Sequence, residues 1–202
     1  MKKAVLFLSL VMVGFVQSGC SSDSSDEAEA FDGSVESIEN FVTPELLQTM
    51  EDMGLVVHPG NTPPSVEGVF LLNANILQST NIDSDTPGST FADAYMTFEN
   101  QDDANLKVDF SYDQPTAGES GVGNGTLLSG TANNFTAYLK QTVTHVDGDA
   151  DTIMVISGTM TDTGIVDFQW ALFMKENNGH ASFIENGKGR IFIDSDDLVV
   201  RQ

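Results

Sequence analysis

The 202-residue chain carries 30 Asp and Glu against 8 Lys and Arg, a formal net charge of −22, with 40% hydrophobic residues and one cysteine. So acidic a surface repels phosphate, which excludes nucleic acid and anionic lipid faces as partners. A single cysteine leaves no intrachain disulfide, so a domain of this length must be held by its core alone.

The chain opens on Met1-Lys2-Lys3, an apolar run from Ala4 to Val16, and Gln17-Ser18-Gly19 directly before Cys20. The run is shorter than the roughly 20 residues a membrane-spanning helix needs. Its positive start, apolar middle and small-residue end follow the order of a secretory signal. That grammar resembles a bacterial lipoprotein signal. The resemblance implies removal of residues 1–19, lipid on Cys20, and an outer-membrane lipoprotein on the periplasmic side or at the cell surface. Membrane contact is then expected only through that lipid. Loss of Lys2 and Lys3 would take the formal charge from −22 to −24.

Residues 20–34 follow as an acidic tether, too rich in Ser, Asp and Glu to bury a core. Asp23, Asp26, Glu27 and Glu29 resemble the surface-export signal of Bacteroidetes lipoproteins; a solvated spacer is the alternative. The overall acidity fits a salty habitat, where screening weakens self-repulsion, or cation binding.

Residues 35–202 read as one domain. A helix near 44–53 is marked by Thr43 as cap, Pro44 in the first helical position, Glu45 at the positive end of the dipole and Gly54 as stop. Leu46, Leu47, Met50 and Met53 give it one apolar face, fit to plug or flank the domain. His58-Pro59-Gly60-Asn61-Thr62-Pro63-Pro64 breaks regular structure.

From Gly68 the period changes to two. Leu106, Val108, Phe110 and Tyr112 alternate with polar residues; so do Phe135, Ala137, Leu139 and Val143, and Val166, Phe168, Trp170, Leu172 and Met174 alternate with a second set. Alternation of this kind predicts antiparallel strands near 68–78, 91–99, 105–112, 121–130, 134–145, 152–162, 164–175 and 189–194. Ala132-Asn133, Asp147-Gly148-Asp149 and Asp162-Thr163-Gly164 supply short hairpin turns. The expected fold class is all-β and mainly antiparallel: an eight-stranded meander barrel with one short N-terminal helix, or alternatively a two-sheet β-sandwich.

The blocks NTPPSVEGVFLLN, GTLLSGTANNFTAY, VISGTMTDTGIVDFQWALFM and IENGKGRIFIDSD resemble a group of Bacteroidetes lipoproteins that look like lipocalin-like (calycin) barrels. The resemblance covers about residue 43 to the C-terminus and implies a barrel, and a cavity by analogy. Lipocalins place Gly-x-Trp at the entry to the first strand; here Gly68-Val69-Phe70 carries Phe.

No catalytic signature emerges, and a non-enzyme without cofactor is expected. Gly118-Glu119-Ser120-Gly121 lacks the spacing of a nucleophile elbow. Gly121-Val122-Gly123-Asn124-Gly125 continues as strand rather than opening a phosphate-binding helix, so its glycines are read as a bend. His58, His145 and His180 show no metal-binding spacing. Asp147, Asp149 and Asp151 are calcium candidates, as are Asp194, Asp196 and Asp197, or Asp83 and Asp85; the Glu an EF-hand needs is replaced by Gly158. Asp151-Thr152-Ile153 resembles a signal for O-glycosylation of Thr152. Phe70, Leu72, Met96, Phe98, Phe168, Trp170, Met174 and Phe192 are candidates to line a pocket for a small apolar or amphiphilic ligand, or to fill the barrel as core.

Overall fold

Ser34 opens the first of two helices among the described residues. Its Oγ accepts from the Ser37 N–H at 3.2 Å at the start of α1 (Val35–Val42). The computed structural model describes residues 30–202 apart from 146, 147 and 182. Thr43 ends α1 and caps α2 (Pro44–Asp52): its N–H donates to the Glu39 carbonyl at 2.9 Å, and its Oγ1 accepts from the Leu46 N–H at 3.4 Å. The cap and Pro44 stand where the sequence placed them. The expected single helix is two, because Ser34 caps a short amphipathic turn that buries Ile38 and Val42. Ordered packing also begins inside the stretch read as tether, since the Phe31 ring lies 5.9 Å from that of Tyr138.

Twelve strands follow: β1 (Asn61–Thr62), β2 (Gly68–Leu72), β3 (Asn75–Thr80), β4 (Thr90–Phe91), β5 (Ala94–Asp102), β6 (Lys107–Gln114), β7 (Glu119–Thr131), β8 (Asn134–His145), β9 (Gly148–Met160), β10 (Gly164–Glu176), β11 (Gly189–Asp194) and β12 (Leu198–Arg201). Eight of them close a ring in the order β12-β2-β5-β6-β7-β8-β9-β10, and β10 returns to β12 through Gly164 opposite Val200 and Ile165 opposite Val199. β11, β3 and β4 extend the wall beside the second half of β10. The closed antiparallel barrel replaces the alternative sandwich, and closure removes the free edges an open meander would expose. Strand β12, absent from the sequence reading, makes the closing contact.

Alternation puts one set of side chains inside. Phe70, Leu72, Met96, Phe98, Val108, Phe110, Leu128, Phe135, Met154, Ile156, Phe168, Trp170 and Phe192 belong to a single interior cluster. The register of β10 shifts between Val166 and Gln169, where Asp167 has φ 50°. This bulge brings Ile165 inward along with Phe168 and Trp170, and leaves Val166 outside the interior cluster to which the alternation had assigned it.

The outside is not uniformly wet. Ile38, Val42, Leu46, Leu47 and Met50 of the helices pack against Tyr138, Ile153, Val155, Ala171, Phe173 and Ile191, forming a second core on the outer face of β8 to β11. The helices therefore flank the barrel. Strand β9 is buried on both faces here, which explains why Ile153-Met154-Val155-Ile156 reads as a continuous apolar run.

Between α2 and β2 the chain crosses the barrel wall as a strap. A backbone lying across strands cannot join their ladder, so its buried N–H and C=O groups need side-chain partners. Three members of one cross-strand row supply them, Ser129, Thr136 and Gln169; the fourth, Ser157, lies between Thr136 and Gln169, and its buried Oγ has no hydrogen-bond partner among the described residues. Gln169 accepts from the Val56 N–H at 2.7 Å and donates to the Gly54 carbonyl at 2.7 Å. Thr136 accepts from the His58 N–H at 2.9 Å, and Ser129 donates to the His58 carbonyl at 2.7 Å. Beyond the row, β1 runs parallel to β7.

Candidate functional site

The barrel interior brings together seven of the eight pocket candidates: Phe70, Leu72, Met96, Phe98, Phe168, Trp170 and Phe192. Their rings form a chain across the lumen. Phe98 lies 6.1 Å from Phe70, 6.1 Å from Phe135 and 5.0 Å from Phe110. Phe110 continues to Tyr112 at 6.2 Å, Tyr112 to Trp170 at 5.3 Å, and Trp170 to Phe192 at 6.0 Å. Such separations are those of aromatic rings in contact. Phe70, Leu72, Met96, Val108, Leu128 and Phe135 are each 0% exposed. A void wide enough for water would expose the side chains lining it, so this part of the interior is filled.

Small residues make the filling possible. The missing side chain of Gly121 leaves the space taken by the Tyr112 ring, and that of Gly123 the space taken by Leu139. The glycines read as a strand bend thus also admit large neighbours, and the register between β6 and β7 does shift beside them. Among the described residues, two interior polar atoms have no hydrogen-bond partner: Trp170 Nε1 and Asn75 Oδ1. Both belong to residues at most 4% exposed.

Met174 departs from the expected set. It is buried but outside the interior cluster, and it borders a recess beside α2 with Leu46 and Thr49. β10 pairs regularly with β9 from Gln169 through Met174, and the register shifts only beyond it, before Glu176.

The strap and the junction of β11 with β12 enclose an outer cleft of about 900 Å³. His58, Asp167, Phe168, Gln169, Asp194 and Asp196 are among its lining. Burial lowers the pKa of His58, and the charge of Asp167 opposes that shift. Asp194 is pushed up to about 6, first by burial and then by its hydrogen bond with Asp196. Its carboxylate accepts the Asn73 and Asp196 N–H groups, both at 3.0 Å, and so joins the break between β2 and β3 to the break between β11 and β12. The cleft can hold a hydrogen-bonding or cationic group. Its residues come from segments more than a hundred positions apart, and only the run Asp194, Asp196, Asp197 was visible as a local signal.

The remaining candidates are dispersed. Asp149 and Asp151 lie on β9, with Thr142 donating to Asp151 at 2.9 Å; Asp147 lies outside the described residues. Among the described residues no three His, Cys, Asp or Glu side chains form a group able to hold a metal ion. Asp85 instead takes a two-pronged hydrogen bond from Arg190, Nε to Oδ2 at 2.6 Å and Nη2 to Oδ1 at 3.0 Å. Thr152 is 5% exposed and donates to the Gln141 carbonyl at 3.3 Å, which leaves no room for a sugar in the folded domain. His180 stacks edge-on to Phe183 at 6.4 Å. Cys20 lies outside the described residues.

Fold and geometry together define a closed eight-stranded antiparallel barrel with a packed aromatic lumen and an external acidic cleft. The chain matches no protein-family model, no curated protein and no solved structure.

Proposed function

We propose that this chain is a lipid-anchored, extracytoplasmic, non-catalytic barrel whose filled lumen is scaffold and whose recognition surfaces lie outside. The observation that carries this reading is the packed lumen, where six large side chains from five strands have no exposed surface at all. Cargo-binding barrels of this strand number hold one small ligand in that space, and here aromatic rings occupy it. The leader, Cys20 and the acidic residues behind it support attachment to the outer membrane, on its periplasmic side or at the cell surface.

A second reading, capture of a small apolar or amphiphilic ligand inside the barrel, draws on the unpartnered Trp170 Nε1 and Asn75 Oδ1. Native mass spectrometry of protein purified from its own host separates the two. The scaffold reading expects the mass of the processed, lipidated polypeptide alone. A small molecule retained in one-to-one ratio would overturn it, and a mature N-terminus other than lipid-bearing Cys20 would overturn the anchor.

A further inference from the structure

Six large apolar side chains are exposed among the described residues: Val35, Val56, Val69, Tyr95, Val122 and Val200. Single exposed aliphatics are ordinary, but four of these share one wall. Val200 on β12 stands opposite Leu71 on β2, which stands opposite Tyr95 on β5. In the next row Val69 on β2 faces Thr97 on β5, Thr97 faces Ser111 on β6, and Ser111 faces Val122 on β7. Val69, Tyr95, Val122 and Val200 are 39%, 43%, 71% and 41% exposed. With strands about 4.8 Å apart, Val200, Leu71, Val69 and Tyr95 make an apolar strip across three strands, β12, β2 and β5, and Thr97 and Ser111 separate it from Val122 on β7. The helices cover a different part of the barrel, the outer face of β8 to β11.

Acids edge the strip. Asp113 continues the first row beyond Tyr95, and Glu99 pairs with Asp109 beside the second. Strands β12, β2, β5, β6 and β7 carry only two basic residues, Lys107 at the start of β6 and Arg201 at the end of β12. Arg201 is turned away, with its guanidinium 4.8 Å from the Phe70 ring and donating to the Glu67 carbonyl at 2.6 Å. A second copy would set the same carboxylates against each other, and an anionic lipid surface would be repelled.

We propose that this wall docks a segment of a partner protein in which lysine or arginine alternates with aliphatic or aromatic residues. The apolar side chains cover the Val69, Leu71, Tyr95 and Val200 strip while the cations reach Glu99, Asp109 and Asp113. This inference rests on recognition taking place outside the barrel. A molecule found in the lumen would sink that premise without altering the outcome of the test below.

The test is fluorescence anisotropy of the full chain with a labelled synthetic peptide of alternating lysine and leucine, alongside lysine–serine and glutamate–leucine analogues. The lysine–leucine peptide is expected to bind about tenfold more tightly than either analogue. Val69→Thr with Tyr95→Ser should weaken it at least about fivefold, and so should Glu99→Gln with Asp113→Asn, which leaves every apolar side chain in place and guards against a folding defect in the first pair. Binding unchanged by both pairs would overturn the proposal, as would weakening by Asp196→Asn in the outer cleft to the same extent. Concentration-dependent dimers abolished by the Val69→Thr, Tyr95→Ser pair would overturn it in favour of a second copy. Tight binding to phosphatidylglycerol vesicles would overturn it in favour of lipid.

Discussion

Asp194 sits where β11 stops, and its carboxylate accepts two backbone N–H groups from two breaks in the wall. Burial and the Asp196 hydrogen bond nevertheless raise its pKa from 3.8 to about 6. A carboxyl raised in the folded state binds more protons there than in the unfolded chain between those values, so its contribution to stability falls as pH rises from about 4 to 6. Asp85, Asp102 and Asp109 have lowered values and act in the opposite sense: their contribution is present above the ordinary range and is lost as pH falls through the lowered value. Asp194→Asn should therefore gain stability relative to the parent between pH 4 and pH 7, read as a difference in thermal midpoints at the two values. A difference that does not change with pH would contradict the assignment. Asp85 owes its low value chiefly to the hydrogen bond from Arg190. Arg190→Lys keeps the charge but loses the paired geometry, and should cost about 1 kcal/mol and speed amide exchange around Asp85 and Ser89.

The strap shows how an element with no hydrogen-bonding periodicity of its own is fixed. Gln169 is 6% exposed and serves three partners: Val56 N–H, Gly54 C=O and the Gln78 side chain at 2.8 Å. Gln169→Leu fills similar space but leaves part-buried polar groups of the strap without partners, and should cost about 1–3 kcal/mol in chemical denaturation. Gln78→Ala removes an exposed partner and should cost less than about 1 kcal/mol. If the two variants proved equal, the strap would not depend on the row beneath it. Much at this scale was legible in the sequence. Thr43-Pro44 announced α2, and Val108, Phe110 and Tyr112 announced β6 by alternation. What escaped had distant causes. Tyr138 and Phe173 sit at positions that alternation marks as wetted, yet they are buried because the helices cover them. The bulge at Asp167 shifted the inward set of β10, and the partners of His58 and Val56 lie at least 71 residues away. The outer cleft inherits this difficulty, since no local pattern joins His58 to Asp167 and Asp194.

At the scale of the whole molecule, the barrel is two cores sharing one sheet: an aromatic lumen and an outer layer under α1 and α2. Phe98 touches Phe70, Phe110 and Phe135 at the centre of the lumen. Phe98→Ala should cost about 3–5 kcal/mol in equilibrium unfolding, far more than an equal truncation at exposed Tyr95. The central claim is that the lumen is full, and the chain supplies its own reporter in Trp170, its single tryptophan, 4% exposed between Tyr112 and Phe192. The direct measurement is Trp170 fluorescence during titration with a long-chain fatty acid. A blue-shifted emission, shielded from acrylamide and unchanged by the fatty acid, is the predicted result. A saturable, one-to-one change in emission would contradict the account.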